Sequence, residues 1–74
     1  METIKRLATC DRIKESLEYI SHCERQIIED EEMIIRYDRT GMIGMVDSHN
    51  KHIKLMKRRI AGNNRLITKL KENL

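Results

Sequence analysis

Apolar side chains return every seventh residue along most of the chain. In the second half, Val46, Ile53, Ile60, Ile67 and Leu74 form one such row, and three residues after the first four come His49, Met56, Asn63 and Leu70. Alternating steps of three and four over several repeats make the a/d seam of a coiled coil, which keeps one stripe turned toward a partner helix. The first half repeats the period with Ile13, Ile20, Ile27 and Ile34, but its three-on positions are poorer: Ser16, Cys23, Asp30 and Tyr37. On a helical wheel Cys10, Leu17, Ile28 and Ile35 lie to one side of that row. The pattern therefore predicts a broader apolar arc on the first helix than on the second.

With no proline in the chain, glycine is the strong punctuation. Gly41 and Gly44 separate the two periodic stretches and predict one helix over about residues 2–39, a loop near 40–46 and a second helix over about 47–73. Gly41 can take the left-handed conformation that ends a helix, and Asp47 or Ser48 can cap the next one. Two long helices joined by a short loop fold back on each other, so the expected fold is all-α, a coiled-coil-like antiparallel hairpin in a single domain spanning residues 1–74. An antiparallel register that sets Tyr19 against Leu66, Gln26 against Arg59 and Met33 against His52 brings no like charges together. Gly62-Asn63-Asn64 together lower helix propensity by about 2 kcal/mol relative to alanine and mark a place for a kink. A break there, with Asn63 or Asn64 capping a third short helix, is the alternative to one continuous helix. The unbroken heptad phase of Ile60, Ile67 and Leu74 favours continuity.

Composition narrows the function classes. At 74 residues the chain is one domain at most, and a domain of roughly this size buries only about 60% of its unfolded surface. There are two tyrosines, no phenylalanine and no tryptophan, so a core must be aliphatic and sulfur-rich. A deep active site is not expected in one copy. Cys10 and Cys23 sit thirteen residues apart on one predicted helix, about 20 Å along its axis, too far for a disulfide with each other. They read as free thiols. The basic pair Lys5-Arg6 is followed by no apolar stretch of signal-peptide type, and no run approaches the roughly 18 residues of a spanning helix. The expected location is cytoplasmic, without a membrane partner.

The net charge of +3 hides an asymmetry. Residues 1–38 hold ten acidic and six basic side chains, net −4, while residues 39–74 hold nine basic and two acidic, net +7. Lys51, Arg58 and Arg65 recur at the outward f position with Lys54 and Lys69 beside them, a stripe suited to an acidic protein surface or to phosphates. No aromatic residues are interleaved with it for base stacking. The run Glu29-Asp30-Glu31-Glu32 faces Lys54 to Arg59 in the hairpin and predicts that part of the basic charge pairs within the molecule.

Polar residues on the apolar faces are candidate sites. Glu24 and Glu31 fall within the first helix's arc, where a carboxylate needs a partner or water, and Lys57 is placed to pair with them. His49 occupies a seam position with His52 one turn on, but neither a cysteine nor a carboxylate pair is expected beside them, so no metal site is assigned. Asn63 resembles a single buried polar residue that sets register. Ser16 has no histidine or acid placed to activate it, and no phosphate-cradling glycine loop follows a strand. No catalytic residue, cofactor or enzymatic activity is expected.

Apolar surface is in surplus. A single seam leaves Leu17, Ile28, Ile35, Leu55 and Leu66 partly or wholly outside it, with Met42, Ile43 and Met45 at the loop tip. A two-helix hairpin has no third layer to cover them. Self-association into a four-helix bundle through the first helix's wide face is expected, as is docking to another protein. The sequence thus points to a small non-enzymatic interaction module, an inhibitor, adaptor or small chaperone. A nucleic-acid-associated regulator acting through the basic second helix is the alternative.

Overall fold

The computed structural model describes residues 2–74. Among these, two α-helices and no strand are present: α1 spans Glu2–Arg39 and α2 spans Ile43–Glu72. They lie antiparallel as a rod of 59 × 14 × 10 Å.

The reversal takes three residues because Gly41 adopts a left-handed backbone, φ 74°. Its N–H donates to the Asp38 carbonyl (3.2 Å) and the Met42 N–H donates to the Tyr37 carbonyl (2.9 Å). These two bonds are a Schellman motif, which satisfies carbonyls that the last turn of α1 would otherwise leave open. The Thr40 hydroxyl donates to the Arg36 and Tyr37 carbonyls and closes the same turn. Because Gly41 alone turns the chain, Gly44 is not needed for the loop and is helical. Helix α2 therefore begins at Ile43 rather than near residue 47, and Asp47 and Ser48 lie inside it instead of capping it. The Met42 carbonyl accepts from Met45 and Val46 to open α2, with no side-chain cap.

Helix α2 runs without a break through Gly62, Asn63 and Asn64. The Asn63 amide does not start a new helix; it donates back to the Arg59 carbonyl at 2.9 Å. The Thr68 hydroxyl does the same to Asn64.

The seam keeps to the a and d positions that the heptads mark. On α1 it follows the strict heptad: Ile13, Ser16, Ile20, Cys23 and Asp30 are buried, and Ile27, Ile34 and Tyr37 are half-buried. On α2 it follows Met56, Ile67 and Leu70, with Val46, His49, Ile53, Ile60 and Asn63 half-buried. The apolar residues beside that row on α1, Cys10, Leu17, Ile28 and Ile35, are all exposed. Two helices bury only the stripe along which they touch, and the strict a/d positions lie closest to that line. Away from the loop the core is aliphatic, with Ile13, Ile20, Ile67 and Leu70 packed together and Ile60 against them. Toward the loop it becomes polar.

Candidate functional site

The polar end of the seam is built around Asp30. At a d position of α1, its carboxylate is turned into the helix pair and only 10% exposed, where an unpartnered charge would be costly. Two residues of α2, one turn apart, meet it. His49 Nδ1 lies 2.8 Å from one carboxylate oxygen and His52 Nδ1 lies 2.5 Å from the other. An ionised carboxylate only accepts, so both Nδ1 atoms are donors. Burial pushes the Asp30 carboxyl upward, but the hydrogen bonds from His49 and His52 and the attraction of their charge outweigh it and hold the group below its ordinary value of 3.8. Tyr37, the next d position of α1, stacks on His49 with ring centroids 5.7 Å apart and planes 18° from parallel.

This cluster replaces two pairings that the charge pattern predicts. Asp30 does not face the basic run of α2 but the histidines nearer the loop. Glu24 and Glu31 are exposed, and neither is bridged to Lys57. Among the described residues the two ion pairs are those of Asp30, with no Lys or Arg bound to a carboxylate. In the sequence Asp30 stands both in an acidic run and at a d position; the second is the signal for this pairing, because a carboxylate in the seam must find a donor across the helix pair. His49 and His52 thus have one carboxylate between them, and among the described residues no group of three or more His, Cys, Asp or Glu side chains could hold a metal ion. The cluster ties the two helices together inside the seam through hydrogen bonds to an ionised carboxylate.

The apolar candidates lie elsewhere. Leu17, Ile28, Ile35, Met42, Ile43, Met45, Leu55 and Leu66 are all exposed, from 37% at Leu66 to 74% at Ile43. They do not form one patch. In an antiparallel pair the e and b rows of both helices share one flank and the g and c rows share the other. Leu17, Ile28 and Ile35 belong to the e/b flank, Met45, Leu55 and Leu66 to the g/c flank, and Met42 and Ile43 to the tip. Tyr19 and His22 stack on each other on the g/c flank of α1. The basic candidates Lys51, Lys54, Arg58, Arg65 and Lys69 are all exposed on α2. Cys23 is fully buried, whereas Cys10 is exposed on the e/b flank.

No described helix is long and apolar enough to cross a membrane. Compared with protein-family models, curated proteins and solved structures, the chain matches none of them.

Proposed function

We propose that this protein is a small non-enzymatic interaction module, an inhibitor, adaptor or small chaperone, whose hairpins pair into a four-helix bundle and dock on a protein with an acidic surface. The observation that carries this reading is the division of apolar side chains. The seam takes the a and d positions, and Leu17, Ile28, Ile35, Met42, Ile43, Met45, Leu55 and Leu66 stand exposed on two flanks and a tip. Covering them removes apolar area from water at about 25 cal/mol per Å², and methionines at the tip adapt to irregular partner surfaces. The exposed basic stripe of α2, unpaired within the described residues, supplies the polar part of such a contact.

Affinity purification of the intact protein, with partners identified by mass spectrometry, tests the reading. A protein partner should be recovered, and both partner capture and the mass in light scattering should fall for the Ile28→Asp and Ile35→Asp variants. Capture and mass unchanged in both variants would defeat the proposal. The basic stripe also favours a second reading, a regulator that contacts nucleic-acid phosphates. It predicts co-purifying nucleic acid and an affinity that drops steeply with salt, because each neutralised phosphate releases counterions. Binding insensitive to salt eliminates that alternative.

A further inference from the structure

Helix α1 carries a second heptad row, about a quarter turn round from its seam. Positions b and e of the repeat are separated by the same alternation of three and four as a and d, and every one of them from Leu7 to Asp38 is exposed. We propose that this row pairs with the same row of a second copy of the chain, antiparallel, about a two-fold axis that crosses α1 between His22 and Cys23. In that arrangement Leu17 lies on Ile28 of the other copy, Cys10 on Ile35 and Lys14 on Glu31, each contact occurring twice. The inference rests on the interaction-module reading above and adds the partner, the face and the register.

Charge complementarity selects the register. Antiparallel b-to-e layers can shift only by whole heptads, so the choice is among discrete alignments. The same two-fold axis brings the e/b rows of the two α2 helices side by side, and the proposed alignment sets Asp47 opposite Lys71 and Ala61 opposite Lys57. One heptad in one direction would set Lys54 against Lys57; one heptad in the other would set Lys54 against Lys71. Both are like-charge contacts, which oppose association. Apolar matching selects the pairing of α1 with α1. The e/b row of α2 from Asp47 to Lys71 is otherwise lysine, asparagine and threonine around Ala61, so Leu17, Ile28 and Ile35 would find no apolar match there. From Leu7 to Asp38 the row is about 47 Å long, and with a width of ~10 Å on each copy it buries roughly 900 Å². The α2 rows bring the total into the range of ~1,200 Å² and above that specific interfaces occupy.

Light scattering and analytical ultracentrifugation of the full chain, over a wide concentration range, test the proposal with a charge swap. Lys14 and Glu31 are exposed, and circular dichroism of each variant verifies that the hairpin is retained. Lys14→Glu and Glu31→Lys each turn two symmetric attractions into repulsions and should weaken the dimer at least ~10-fold, while the double variant should return to within ~3-fold of the parent. In a second test, Ile35→Cys should form an intermolecular disulfide with the native Cys10 under mild oxidation, and Leu55→Cys on the opposite flank should not. Single variants as tight as the parent, or a double variant as weak as the singles, would overturn the register and leave self-association standing. A parent chain with the mass of one copy at all concentrations would overturn the dimer itself. Should that monomer still capture a different protein and lose it on Ile28→Asp, the interaction-module reading would survive alone.

Discussion

Asp30 is the residue whose chemistry depends most on its surroundings. Within α1 it is one carboxylate among neighbouring acids, yet its two histidine donors come from the other helix. Removing the carboxylate strands both donors, so Asp30→Ala should cost about 1–3 kcal/mol in urea denaturation at neutral pH. The pH dependence has a defined sign. A folded-state value held below 3.8 means that the unfolded chain binds the proton first on acidification. Asp30's contribution is therefore complete above about pH 4 and is lost as pH falls through its folded value. Comparison of the parent with Asp30→Asn by denaturation across this acidic range should show a stability difference that shrinks toward low pH. A difference that widens there would rule out this account of the cluster.

At the level of the helices, two glycines have opposite roles. Gly41 holds the left-handed turn on which the Schellman bonds depend, whereas Gly62 sits in regular helix with open space where a side chain would go, its nearest neighbour being an Arg65 guanidinium nitrogen at 3.9 Å. Gly62→Ala should therefore raise stability by about 0.5–1 kcal/mol, by lowering the entropy of the unfolded chain and improving helix propensity. Gly41→Ala should lower it by about 1 kcal/mol or more through backbone strain. Thermal melts by circular dichroism read both signs at once. The two helices and their antiparallel order are legible from heptads and glycine punctuation. The start of α2 is not, because two candidate glycines and two candidate caps lie within eight residues and only the Schellman bonds determine which of them the chain uses.

The whole molecule is a rod, and this governs how it can work. Its Cα radius of gyration is 17.1 Å, against about 11 Å for a compact chain of this length. A hairpin held to one copy, such as the combined Ile28→Asp and Ile35→Asp variant, should give a radius near 17 Å in small-angle X-ray scattering. A value near that of a compact globule would mean that the hairpin closes on itself in solution. The rod shape also explains the exposed leucines and isoleucines: two parallel cylinders share one line of contact, so most of each helix's circumference stays outside it.

The periodicity of Val46, Ile53, Ile60 and Ile67, matched by Ile13, Ile20, Ile27 and Ile34, determined by itself that the chain forms two long helices with a common seam. Gly41 determined that they reverse direction. These are local properties, set by backbone freedom and by the angle between successive side chains. Tertiary structure decided the rest. It gave Asp30 to His49 and His52 rather than to lysine, and it began α2 at Ile43. Those outcomes depend on where α2 lies across from α1, and that follows from the packing of the two helices as a whole, which no single position specifies.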